Sequence, residues 1–251
     1  MENMLTSNYN ALSDAARRML KHYIKGEMYT WLNQHDGEMG WIKSSHRGVI
    51  MMSNLHIGHT VKKILNRSEF EFTYNQSFEQ VVQGCADLSR EGKTWITPEL
   101  AATYKELFEH GFAYSCEVRK NGELVGGVFG VQVGGFISLD STFHTENNAG
   151  KAVLGHHLLN MQKQGFHFAD VNYASEHTQR FGADWVPQWQ FEKMMRPVLH
   201  AELTLQDGVA SPTVPWYVLA ANRALQLVGT SSRKVAGMIL GRAATPATAA
   251  A

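Results

Sequence analysis

Residues 113–133 read AYSCEVRKNGELVGGVFGVQV, and the fold is decided there. Two runs of strand-forming residues flank Asn121-Gly122. That pair accepts positive φ at both central positions of a two-residue turn, so it joins antiparallel strands whose twist matches the turn. The spacing predicts a hairpin with strands over 113–119 and 123–133. Upstream, Thr97-Pro98-Glu99 predicts a helix start: a capping hydroxyl, a proline in the first turn and an acid favoured by the dipole. That helix ends at His110-Gly111. Downstream the pattern predicts a third strand over 135–141, a helix over 149–164 closed by Gly165, and a fourth strand over 166–172.

Toward the N-terminus, Ser13 is placed to cap a helix over 14–25 that stops at Gly26. Residues 26–45 read as irregular and carry Trp31 and Trp41. A strand over 47–52, a short basic helix over 60–67, a strand over 70–74 and a helix over 78–88 capped by Ser77 follow. Beyond the fourth strand, Ser175 begins a short helix ending at Gly182, Pro187 begins another through Met195, and 200–205 alternates weakly. Pro212 and Pro215 break the chain before an apolar helical tail over 216–228 and 231–240, and the end is low in complexity. The fold class expected is α+β. It has a small N-terminal α/β domain over 1–67, a mixed-sheet domain with flanking helices over 68–205, and a helical tail over 206–251.

Composition narrows the function only by exclusion. Of 251 residues, 44% are hydrophobic and 18% charged, which describes a globular chain and not a disordered one. Lys+Arg and Asp+Glu balance at 23 each, so net charge points to no nucleic-acid partner. Cys85 and Cys116 have no metal or redox spacing and fall in apolar periodic segments, as buried free thiols of a reducing compartment do. No secretory signal precedes residue 12, and no apolar run reaches the ~20 residues that span a bilayer. A cytoplasmic protein, not bound to membrane, is the expectation.

Several residues have chemical options. Trp95, in Thr94-Trp95-Ile96-Thr97, is expected on a short strand before a helix N-terminus, where it either packs in the core or offers an aromatic face to a flat ligand. Asp140 and Asp170 lie near the ends of apolar strands. Carboxylates on neighbouring strands bind a cationic amine or take a proton, or they simply cap a chain end. His156 and His157 are adjacent on a helix and face different ways, and no i, i+4 histidine pair has a carboxylate partner, so no metal is expected. Ser115, Cys116 and Ser141 lack a nucleophile elbow. Lys62, Lys63 and Arg67 share one side of a helix with Val61, Ile64 and Leu65 opposite, as a solvated face or a small phosphate site would. The strand–helix–hairpin–strand–helix order resembles acyltransferases that use coenzyme A thioesters. Their pyrophosphate loop is rich in glycine, whereas 145–151 (TENNAGK) has one glycine and an acid that repels phosphate. Coenzyme A is not expected.

Taken in order, GCAD (84–87), TWIT (94–97), NGELVGGVFGV (121–131), DSTF (140–143), NAGK (148–151) and ASEHTQRFGA (174–183) resemble the leucyl/phenylalanyl-tRNA–protein transferase family, from about Leu12 to Phe191. The resemblance implies a small N-terminal domain and an acetyltransferase-like (GNAT-type) catalytic domain. It implies transfer of Leu, Phe or Met from aminoacyl-tRNA to the α-amine of a protein or peptide beginning with Arg or Lys, by a monomer using no cofactor and no metal. Such a product is an N-degron, a mark for protein degradation. By position, Trp31 and Trp95 would hold the 3′-terminal adenosine, and Val128 and Ile137 would line the pocket for the transferred side chain. Asp170 and Asn172 would match the acid and glutamine near the attacking amine, and Asp140 a glutamate on the acceptor side. Lys62, Lys63 and Arg67 would match part of a basic row on the acceptor stem.

The chain departs from that pattern. Asp140 stands for glutamate and Asn172 for glutamine, each one methylene shorter. Misplacing a positioning group by ~1 Å can cost about 10²-fold in rate. Thr30 replaces a proline, Gly40 a tryptophan, and His59 and Asn66 stand at basic positions. Preserved chemical type at both shortened positions favours a working site of altered geometry. The alternatives left by the sequence are tRNA-dependent acylation of a small amine or peptide, and a catalytically silent binder of tRNA or of N-termini.

Overall fold

Ser13 caps its helix as expected, its hydroxyl accepting from the Ala16 amide, but a helix precedes it that the sequence pattern did not suggest. A computed structural model describes residues 2–32, 38–67, 69–87, 94–201, 203 and 205. By its internal contacts the chain divides into Met1–Pro212 and Thr213–Ala251. The expected tail helices lie outside the described residues. In the first unit α1 (Glu2–Ala11) leads into α2 (Asp14–Ile24), which ends before Gly26 at φ +74°. The stretch read as irregular instead holds two short strands, β1 (Met28–Trp31) and β2 (Met39–Ile42), paired antiparallel. Each has only four residues, too few for alternation to stand out, and each takes its identity from the other. β3 (His46–Met51) and α3 (His59–Asn66) follow where expected, then β4 (Glu71–Tyr74) and α4 (Phe78–Asp87).

Thr97 caps α5 (Pro98–Glu109) through its hydroxyl to the Leu100 amide, and Gly111 ends it at φ +78°. Trp95 before it sits in a bend, not on a strand. The Thr94 hydroxyl accepts from the Ile96 amide and turns the backbone there. The hairpin forms as predicted from β5 (Ala113–Lys120) and β6 (Glu123–Val133), with Asn121 at φ +53° and Gly122 at +82°. The expected third strand is split. β7 (Phe136–Ile137) and β8 (Ser141–His144) both pair with β6, and Asp140 lies in the break between them. α6 (Ala149–Lys163), β9 (Phe168–Asn172) and the short α7 (Glu176–Gln179) match the sequence pattern. β10 (Ala183–Pro187) was not anticipated. It precedes α8 (Gln188–Val198), and its alternation is blurred by exposed Asp184 and Trp185 and a closing proline.

The largest sheet runs β4-β5-β6-β7, with β8 also on β6. A second, in the order β10-β3-β9, touches it where Ser138 and Asp170 form a parallel bridge. All other strand pairs are antiparallel. β3 lies before residue 67, yet both of its partners lie beyond residue 167. Residues of β6 alternate between two layers, since successive side chains point to opposite faces. Val128 joins Val153, Leu158 and Met161 of α6 in the core. Phe129 meets Phe78 of α4 and Tyr104 of α5 on the other side. On the first face His157 is buried between the hydroxyls of Tyr74 and Tyr114, at 3.0 and 3.1 Å, while His156 stacks on Phe72. Both cysteines are buried, and neither forms a disulfide.

Candidate active site

The ends of β1, β9 and the β7–β8 break meet beside α2 and α5 around a cavity of about 220 Å³. Its lining includes Tyr23 from α2, Tyr29 and Trp31 from β1, Trp95 and Tyr104 from either side of the α5 start, Asp140, and Asn172 and Tyr173 from β9. The wall is aromatic and mutually braced. Tyr29 contacts Trp95 at 6.3 Å between ring centroids, and Trp95 meets Tyr104 edge-on at 6.3 Å. Trp31 is 39% exposed at the rim. The Thr30 hydroxyl and Tyr173 phenol hydrogen-bond at 2.7 Å and close the rim between β1 and β9.

Asp140 is held by two phenols. Tyr23 and Tyr104 donate to its Oδ2 at 2.7 and 3.2 Å, and the two hydroxyls lie 2.6 Å apart. Burial pushes the Asp140 carboxyl up to about 6; the Tyr23 bond opposes the rise and the nearby Asp170 charge adds to it. Burial and the same carboxylate hold both phenols well above the ordinary tyrosine range. Asp140 is therefore a carboxylate poised near neutrality, able to hold an ammonium group or to exchange a proton with it.

Asp170 is treated differently. Arg47 donates from Nε to Oδ1 at 2.9 Å and from Nη2 to Oδ2 at 2.7 Å, and neither side chain is exposed. Burial is the largest single influence and would lower the Arg47 pKa, but the Asp170 charge and hydrogen bond, with the Tyr23 and Asp140 charges, together outweigh it and the net shift is upward. The guanidinium also reaches the Glu27 carbonyl at 3.3 Å and lies 5.0 Å from the Phe191 ring centre. Asp170 Oδ1 takes one more donor, the Asn172 amide at 3.0 Å. That bond holds Asn172 at φ +58°, a left-handed conformation that asparagine tolerates. Gly48 permits the turn, because a Cβ there would come within 2.4 Å of the Ala174 nitrogen.

Residues 49–196 match the model of a family described as leucyl/phenylalanyl-tRNA protein transferase. The chain belongs to that family. It is an aminoacyltransferase. Two relatives carrying the name leucyl/phenylalanyl-tRNA–protein transferase agree. One, from Salinibacter ruber (strain DSM 13855 / M31), is 33% identical over 177 residues, or 70% of this chain and 76% of the relative. The other, from Saccharophagus degradans (strain 2-40 / ATCC 43961 / DSM 17024), is 31% identical over 186 residues, or 74% and 76%. Among solved structures, the C-terminal domain of a putative lysylphosphatidylglycerol synthetase from Agrobacterium fabrum is similar at a TM-score of 0.42 and 11% identity, over 57% of this chain and 58% of that one. The structure of L-PGS from Bacillus licheniformis is similar at 0.37 and 15%, over 61% and 48%.

Against the expectations for a leucyl/phenylalanyl-tRNA–protein transferase, the structure brings four of the singled-out residues to one cavity: Trp31, Trp95, Asp140 and Asn172. Asp170 stands behind the lining and touches Asn172 only through its backbone. Val128 and Ile137 are elsewhere. Both are wholly buried in the core on the α6 face, and neither lines the cavity. The register explains Val128, since the neighbouring position on β6, Phe129, is the one that faces Tyr104. Lys62 and Lys63 are exposed on α3, and Arg67, just past its end, lies 3.8 Å from Glu69. Reading the sequence missed Tyr23, Tyr104 and Arg47. The tyrosines occupy core-facing helical positions and look like packing. Arg47 did leave a signal, a charge at the head of the apolar run RGVIMM, which implies a buried partner.

Proposed function

We propose that this transferase moves an apolar aminoacyl group (Leu, Phe or Met) from aminoacyl-tRNA to the α-amine of a protein beginning with Arg or Lys. The observation that carries this reading is the meeting of Trp31, Trp95, Asp140 and Asn172 at one cavity in a chain of this family. The two tryptophans take the terminal adenosine by stacking, which reads no sequence and is worth about 1–3 kcal/mol per base. Asp140 faces the acceptor and holds its positive charge. The side-chain amide of Asn172 orients the amine against the ester carbonyl. Asp170 is a positioning residue, fixed by Arg47 and fixing the Asn172 backbone.

The ester is already activated, so placing a neutral amine near its carbonyl supplies most of the acceleration. The nitrogen attacks the carbonyl carbon, the bond to the ribose oxygen breaks, and the amine proton ends on the released ribose hydroxyl. Lys62, Lys63 and Arg67 lie along the acceptor stem, and the catalytic half takes an acetyltransferase-like arrangement. Incubation with radiolabelled Phe- or Leu-tRNA and an Arg-initiated test protein is the direct experiment. Label is expected in the protein. Label retained on tRNA, with an Ala-initiated and an Arg-initiated acceptor alike, overturns the reading.

A further inference from the structure

A second cavity, of about 430 Å³, opens between the first turn of α3, the first turn of α6 and α7. Its lining holds two cations, Lys151 and Arg180, with the imidazoles of His56, His59 and His177, and no Asp or Glu. Several other described cations are paired with a carboxylate, Arg17 with Asp14, Lys43 with Glu192, Lys105 with Glu79 and Lys120 with Glu146. Lys151 and Arg180 have no carboxylate within salt-bridge distance among the described residues. The charges also feel one another. His177 is held below the usual histidine range by burial first, then by the charges of Arg180, His144 and Lys151. Into this convergence points the start of α3, whose cap is Gly58 and whose first amides receive no side-chain cap. Positive charge gathered around a cavity and left unneutralised, with free amides at a helix start, is what an anion requires.

We propose that Lys151 and Arg180, with the first turn of α3, form a binding site for phosphate groups of the tRNA backbone near its acceptor end. The proposal rests on the donor being aminoacyl-tRNA. Continuity along the chain supports that source of phosphate. Asn172 and Tyr173 line the first cavity and His177, Gln179 and Arg180 line the second, so a few residues join the two. α3 joins the second cavity to the row Lys62, Lys63 and Arg67, which continues along the same helix. A strand whose last base lies between Trp31 and Trp95 then meets phosphate donors on both sides of α3. The cavity is also larger than a single phosphate needs, as a stretch of backbone would require.

The test compares the wild type with Lys151→Gln, Arg180→Gln and the double variant, after thermal melts show that each folds. Transfer is measured with Phe-tRNA and with a phosphate-free donor, phenylalanyl-adenosine. Retention of deacylated tRNA on filters is measured across salt. For the double variant, KM for Phe-tRNA is expected to rise about tenfold with kcat within about twofold, and KM for phenylalanyl-adenosine to stay unchanged. The slope of log affinity against log salt becomes shallower by about one for each side chain removed. Lys151→Arg keeps both values. An unchanged slope and KM, or an equal loss with both donors, overturns the site. If inorganic pyrophosphate binds the wild type and not the double variant while the tRNA slope is unchanged, the site takes a small phosphorylated ligand and the backbone assignment is wrong. A wild type that transfers from neither donor defeats the proposed activity, and the filter measurement still decides the site.

Discussion

Arg47 and Asp170 meet through two near-parallel hydrogen bonds, at 2.9 and 2.7 Å, with no exposure of either side chain. The pair ties β3 to β9 and, through the Glu27 carbonyl, to the loop after α2 that leads to Tyr29 and Trp31.

Removing one partner leaves the other charge buried and alone, which costs about 3–5 kcal/mol. Arg47→Met and Asp170→Leu should each lower the free energy of unfolding in urea by that order, and the double variant by less than the sum. Arg47→Lys keeps the charge but not the fork, so kcat should fall while the fold survives. Additive losses in the double variant would mean the two residues act separately.

The proposed place of Asp140 at the acceptor predicts a pH signature for the reaction. Its carboxyl sits at about 6, above the ordinary 3.8, so it carries its charge above that value and loses it below. For an Arg-initiated acceptor, kcat/KM should rise through an apparent pKa near 6, and Asp140→Asn should abolish that limb. The sign for stability is opposite. The folded state binds more protons than the unfolded between about 3.8 and 6, so ionising Asp140 weakens the fold as pH rises through that window, by at most about 3 kcal/mol. Asp140→Asn should therefore be relatively more stable at pH 7 than at pH 4.

Trp95→Ala should raise KM for the aminoacyl-tRNA donor roughly 5- to 150-fold, the range that about 1–3 kcal/mol of stacking allows. Trp95→Phe should restore part of it. Cys85→Ala is the contrast, because that thiol is buried, pushed up to about 12 by burial, and outside the cavity lining. It should leave KM alone and react slowly with iodoacetamide in the wild type. Equal effects of Trp95→Ala and Cys85→Ala would make Trp95 a packing residue.

Ile137→Val should cost about 0.5–1.5 kcal/mol in urea unfolding, as truncations in a close-packed core do. The preference between Leu-tRNA and Phe-tRNA should not change. A changed preference would place the pocket for the transferred side chain on the α6 face after all.

Local chemistry made some elements easy to read. Asn121-Gly122, Thr97 with Pro98, and Gly165 each impose a backbone geometry within a few residues, and each did so. β1, β2 and β10 were illegible because strands of four or five residues are selected by partners far along the chain. The break at Asp140 is of the same kind. It exists because Leu139 donates to the Asp170 carbonyl while Asp140 donates to that of Phe129, so two sheets compete for one segment. The resemblance singled out Trp31, Trp95, Asp140 and Asn172, and these four line one cavity. Tyr23 and Tyr104 were not, since a tyrosine on the inner face of a helix looks the same whether it packs or donates.

The distance along the chain between Arg47 and Asp170, 123 residues, sets a schedule for synthesis. At 5–20 residues per second a ribosome needs roughly 6 to 25 seconds to add the counter-ion after the arginine. Until then β3 has neither of its partner strands. A nascent chain interrupted before β9 carries Trp31 and Trp95 yet lacks Asn172 and the ion pair behind it. A chain that stops before β9 is therefore expected to transfer nothing, which a ribosome-stalled fragment assayed with labelled Phe-tRNA would check.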